Sequence, residues 1–136
     1  MKLILALLAV PLAGQTLTPL EPVNAVATQV EYRGVNAIQL KARPGAANAS
    51  SYATVKDLTF HNGAIEVNVA GKPAEGAGAG ARGFIGIAFR MKGGKYEYIY
   101  LRPANGRADD QVRRNHSTQY SSHPDFDFAR LRMESP

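Results

Sequence analysis

Arg90 and Glu97 are the two residues of this chain whose chemistry fits together best. Arginine presents a rigid fork of donors, and ionised glutamate presents only acceptors, so the pair can grip the hydroxyl groups of a sugar. The same two side chains can instead form a structural cross-strand ion pair, worth roughly 0.2–1 kcal/mol. A second polar cluster follows in Arg113, Arg114, Asn115, His116, Gln119 and Tyr120. His116 could serve as a general acid or base, because an unperturbed imidazole titrates near pH ~6.5. The alternative is a solvated loop whose side chains bond to their own backbone. His61, His116 and His123 lack a metal-ligand spacing such as H-x-x-x-H, so no metal site is expected. Asp109-Asp110 and Asp125-x-Asp127 supply oxygens of the kind calcium prefers, yet they match no calcium-loop pattern. The glycine run at 76–83 has neither a following Lys-Ser/Thr nor a helix, which excludes a phosphate-cradling P-loop.

The element that must position Arg90 and Glu97 is a hairpin over residues 84–103, FIGIAFRMKGGKYEYIYLRP. Two apolar, β-branched and aromatic runs flank Gly93-Gly94, a two-residue loop suited to a type I′ turn. Simple pairing across that turn sets Lys92 opposite Lys95, Met91 opposite Tyr96, and Arg90 opposite Glu97. One face would then carry Ile85, Ile87, Phe89, Met91, Tyr96, Tyr98 and Tyr100. The other would carry Gly86, Ala88, Arg90, Glu97, Ile99 and Leu101, with room beside Gly86 and Ala88 for a ligand. The tyrosine stripe either stacks on sugar rings or packs into a core with Ile85, Ile87 and Phe89.

The rest of the chain alternates with period two, which marks half-buried strands. Strands are expected at 29–33 and 37–41 around Gly34-Val35-Asn36, at 52–58, at 64–69 and at 118–121. Residues 43–51 and the Gly/Ala-rich 71–83 read as loops, and 109–116 as a loop or a single helical turn. No segment sustains a 3.6-residue period. The fold class is therefore all-β, an antiparallel β-sandwich or jelly roll. Residues 16–28 read as a lead-in and 29–136 as the sandwich. The chain stops at Glu134-Ser135-Pro136 without a closing strand, so a partial sandwich is expected.

With 136 residues, 45% hydrophobic and 20% charged, the chain suits one ordinary globular domain. It has no cysteine, hence no disulfide framework or thiolate metal site. Met1-Lys2, the apolar run LILALLAVPL at 3–12 and Ala13-Gly14-Gln15 form a secretory signal over 1–15, too short to span a bilayer. The expected location is secreted or periplasmic, with no transmembrane segment once the signal is removed. Losing Lys2 lowers the net charge from +5 to +4. That mild basicity suits anionic glycans or plain solvation, and the scattered basic residues do not suggest nucleic acid.

The segments resemble a secreted concanavalin A-like lectin/glucanase jelly roll, in its laminin-G-like and 3-keto-disaccharide-hydrolase-like branches. The matching residues are Phe60-His61-Asn62-Gly63 before Ile65-Glu66-Val67, then Gly86-Ile87-Ala88-Phe89-Arg90, Tyr96-Glu97 and Tyr100-Leu101-Arg102-Pro103. The likeness covers roughly residues 55–103. It implies a carbohydrate partner on a concave sheet, held by Arg90, Glu97 and Arg102 with Arg114, Asn115, His116, Gln119 and Tyr120, sometimes with calcium. It also implies a glycoside hydrolase-like alternative, with Glu97 as acid or base and Glu66 or His116 as partner. Related glucanases carry E-x-D-x-x-E on one strand. Here Glu66 is followed by Asn68, which cannot act as nucleophile or acid.

Overall fold

A computed structural model describes residues 19–46 and 50–134; the signal segment 1–15 lies outside the described residues. The architecture is all-β and antiparallel, with seven strands in sandwich-like layers and three short helices among the described residues. The strands are β1 (Leu20–Val23), β2 (Ala25–Tyr32), β3 (Val35–Ala42), β4 (Tyr52–Val55), β5 (Ile85–Lys92), β6 (Lys95–Leu101) and β7 (Thr118–His123). Helices α1 (Pro103–Gly106) and α2 (Gln111–Asn115) precede β7, and α3 (Phe128–Glu134) follows it. Pairing gives two ribbons, β1–β4 and β2–β3, and one three-stranded sheet in the order β5–β6–β7. The stretch 16–28 thus holds β1 and the start of β2.

Two tight turns set the ribbons. Tyr32 pairs with Val35, so the β2–β3 turn is Arg33-Gly34, not Gly34-Val35-Asn36 as the sequence suggests. Both residues have positive φ, +52° and +80°, the geometry of a type I′ turn. Gly93-Gly94, at φ +58° and +77°, turns β5 into β6 as the sequence predicts. Lys92 pairs with Lys95 as expected.

Beyond that pair the expected register fails. A β-bulge between Phe89 and Lys92 puts Phe89, not Arg90, opposite Glu97. Ala88 then faces Tyr98, Ile87 faces Ile99 and Gly86 faces Tyr100. A shift of one residue exchanges the two faces of a strand, because side chains alternate with period two. Tyr96, Tyr98 and Tyr100 therefore share the inner face with Gly86 and Ala88. Ile85, Ile87 and Phe89 share the outer face with Glu97, Ile99 and Leu101.

The space beside Gly86 is filled by β6 itself. A Cβ at Gly86 would fall on the Ile99 carbonyl oxygen and 2.7 Å from Tyr100 Cβ. Glycine here lets the two strands approach beneath a tyrosine, and leaves no berth for a ligand. The tyrosines are core residues, but they pack with Tyr52, Phe84 and Ala88, not with Ile85, Ile87 and Phe89. Tyr52 meets Tyr96 at 5.6 Å between ring centroids, and Tyr98 stacks on Tyr100 at 5.4 Å. A second cluster of Ile38, Leu40 and Ala53, with Leu20 and Ala27, joins the two ribbons.

Two expected strands change. The segment at 52–58 is strand only over Tyr52–Val55. Residues 64–69 form no strand, although Ile65, Val67 and Val69 do line one gap with Ile87, Phe89, Ile99 and Leu101 of the outer sheet face. Alternation placed those side chains, while backbone pairing amounts to a single bridge residue at Asn68. α3 arises where no apolar stripe announced a helix. Its first turn is tied by the Asp127 carboxylate, which accepts from the Arg130 N–H at 2.8 Å.

Candidate functional site

The bulge creates the site. Arg90 occupies it with φ +52°, a left-handed backbone that swings its side chain back over the outer face. There Arg90 Nη1 donates to Glu97 Oε1 at 3.0 Å and to Oε2 at 3.3 Å. Tyr120, opposite Ile99 on β7, donates its hydroxyl to Glu97 Oε2 at 2.9 Å. The predicted pair therefore meets without being register partners, and Tyr120 joins it as a third member. Arg90 is open to solvent, with 74% of its side chain exposed, whereas Glu97 keeps only 24%.

These contacts set the protonation states. The Arg90 hydrogen bond, then that of Tyr120, hold the Glu97 carboxyl below its ordinary value of 4.5. The same carboxylate raises Tyr120 above its usual 10.0 and raises Arg90. At neutral pH the site is a fixed carboxylate, a fixed guanidinium and a neutral phenol. It can accept and donate hydrogen bonds, but Glu97 has no proton to give.

Apolar residues adjoin the triad on the sheet, with Phe89 opposite Glu97 and Ile99 opposite Tyr120. Phe60 is 48% exposed and Ile99 47%, and both line the gap of about 390 Å³ under residues 60–69. Arg90 itself borders an open cleft of about 720 Å³ that runs between β4 and β5. Tyr52, Thr59, Phe60, His61 and Phe89 are among its walls.

The other predicted residues do not join this site. Arg102 is buried, with its guanidinium carbon 4.3 Å from the Phe128 ring centroid and 5.6 Å from that of Tyr100. Arg114 donates to the carbonyls of Ala108 and Asp109 and to Gln111 Oε1. Asn115 Oδ1 accepts from Gln111, and Gln119 Nε2 donates to the Tyr120 carbonyl. His116, at the end of α2, has Nε2 2.8 Å from Arg132 Nη1. Glu66 is exposed in the stretch 60–70, which lies outside the strands. The cluster at 113–120 thus bonds largely to its own surroundings, and only Tyr120 reaches Arg90 and Glu97. Phe60 and Phe89 also border Arg90, and sequence reasoning places neither at the site. Their signal was the aromatic content flanking the charged pair.

Among the described residues no three His, Asp or Glu side chains gather to hold a metal ion. Among them, too, no helix is long and apolar enough to cross a membrane. Comparison with known protein families, with characterised proteins and with solved structures finds no match to this chain.

Proposed function

We propose that this chain is an exported carbohydrate-binding module of concanavalin A-like kind, holding a glycan across the outer face of β5–β6–β7. The observation that supports the reading is the Arg90–Glu97–Tyr120 triad, whose Arg90 borders the open cleft that Phe60 and Phe89 also line. A pyranose has hydroxyl edges and apolar C–H faces. The triad supplies donors and an acceptor for the edge, and the aromatic rings supply stacking area for the face. Secretion, expected from residues 1–15, would place the module among such ligands.

The glycoside hydrolase alternative asks for a protonated acid beside a second carboxylate. Glu97 is held ionised, and its partners are an arginine and a tyrosine, so binding without turnover is the better-supported reading. Calorimetric titration with soluble β-glucan, xylan and sulfated oligosaccharides tests it. Saturable binding that weakens about tenfold or more in Arg90→Ala and in Tyr120→Ala is the expected result. No heat at millimolar ligand would overturn it. Product release that survives Glu97→Gln would eliminate Glu97 as a catalytic acid or base.

A further inference from the structure

A second cleft lies at the far end of the β5–β6 hairpin from Gly93-Gly94, between the β2–β3 turn and α1. Its volume is about 690 Å³. Arg33, Asn68, Arg102, Arg107 and Ser117 line it, and no aspartate or glutamate does. Arg33, Arg102 and Arg107 make no ion pair among the described residues; the Arg33 and Arg107 charges border the cleft uncompensated, while the Arg102 guanidinium rests on Tyr100 and Phe128 beneath its rim. Arg102 is 8% exposed; its Nη2 donates to the Tyr100 hydroxyl at 3.3 Å, and its Nε has no hydrogen-bond partner. A buried cation with low-dielectric surroundings strengthens the potential felt in a concavity above it.

Arg33 adds an independent sign. It sits at φ +52° in the first position of a type I′ turn, where asparagine or glycine is the ordinary choice. A long side chain there is held against local preference, and such outliers gather at functional positions. Its guanidinium carbon lies 5.5 Å from the Tyr32 ring centroid, and Tyr32 also lines the cleft.

We propose that this cleft binds an oxyanion carried by a small molecule, a carboxylate, sulfate or phosphate group, with Arg33 and Arg107 as its forks. Planar guanidinium groups match the geometry of such anions and bind them in bidentate fashion. The site stands apart from the Arg90–Glu97–Tyr120 triad and does not depend on the glycan reading. At the triad the one arginine is already neutralised by Glu97. Here no acid competes.

The test is an NMR titration of the isotopically labelled full chain with sodium sulfate, glucuronate and glucose 6-phosphate, with glucose and sodium chloride as controls. The expected result is saturable shifts of the Arg33, Gly34, Gly106 and Arg107 amides with at least one anion, and none with glucose. The anion that saturates at the lowest concentration identifies the group carried. Arg107→Gln and Arg33→Asn should each weaken that binding about tenfold or more. Arg33→Asn should at the same time raise the melting temperature, because asparagine suits the turn. A purely structural arginine would not separate stability from binding in this way. Shifts that never saturate, that chloride reproduces, or that persist unchanged in both variants overturn the proposal. Failure of neutral glycans to bind at the triad would leave these shifts standing, since the probes and the reporting amides differ.

Discussion

Arg90 shows how one side chain decides the character of a site. Its left-handed backbone places the guanidinium over Glu97, and Tyr120 completes the hydrogen bonding. Glu97 is consequently more acidic in the fold than in the unfolded chain. A carboxylate with a depressed folded value contributes stability above its unfolded pKa of 4.5 and loses it as pH falls through the lower folded value. Glu97→Gln should therefore be less stable than the parent at pH 7. The gap should close as the pH drops below the ordinary carboxylate range. Thermal unfolding of both proteins between neutral and strongly acid pH checks this. A gap independent of pH would show that the carboxylate charge is not what matters. The pairing of Arg90 with Glu97 was legible from residue type and proximity to the glycine turn. Tyr120 was legible only as a polar residue in a distant cluster, because β7 brings it to β6 through tertiary pairing.

At the scale of elements, the β5–β6 hairpin separates what a sequence encodes locally from what it does not. Gly93-Gly94 and the flanking apolar runs specified the turn, since positive φ at two successive positions is cheap for glycine. The bulge at Arg90 carried no such mark: arginine in the left-handed region runs against its preference. One hidden residue then exchanged the faces, and the tyrosine stripe found partners other than those expected. The consequence is testable at Gly86. Gly86→Ala drives a methyl group into the β6 backbone at Ile99 and Tyr100. It should destabilise the protein by about 1–3 kcal/mol, as overpacking of a close contact does. Urea titration measures it, and an unchanged midpoint would contradict the close approach. Tyr100, fully buried over the same spot, should lose about 3–5 kcal/mol on replacement by alanine.

Across the whole molecule the core divides into two parts, a cluster of phenols under β6 and an aliphatic cluster of Ile38, Leu40 and Ala53 between the ribbons. Burial raises the Tyr96 and Tyr98 hydroxyls above their ordinary 10.0. A group whose folded pKa is raised contributes stability below its unfolded value and loses it as pH climbs through the folded one. The protein should therefore weaken as pH rises beyond 10, earlier than one with a Leu/Ile core. Melting temperatures on the alkaline side, compared between the parent and Tyr98→Phe, report it. The phenylalanine variant should lose less stability with rising pH. The all-β class was legible because alternation recurs along nearly the whole chain. Of the helices only α2 was foreshadowed, as the single turn offered for 109–116, because α1, α2 and α3 are too short to carry an apolar period.

The covering of the outer sheet face has a kinetic corollary. Residues 60–70 lay Ile65, Val67 and Val69 toward Ile87, Phe89 and Ile99, but with almost no ladder to hold their amides. In deuterated solvent those amides should exchange long before those of β5 and β6, whose protons are locked between strands. A protease should find its first cut there, uncovering a greasy plane while the three strands beneath stay joined.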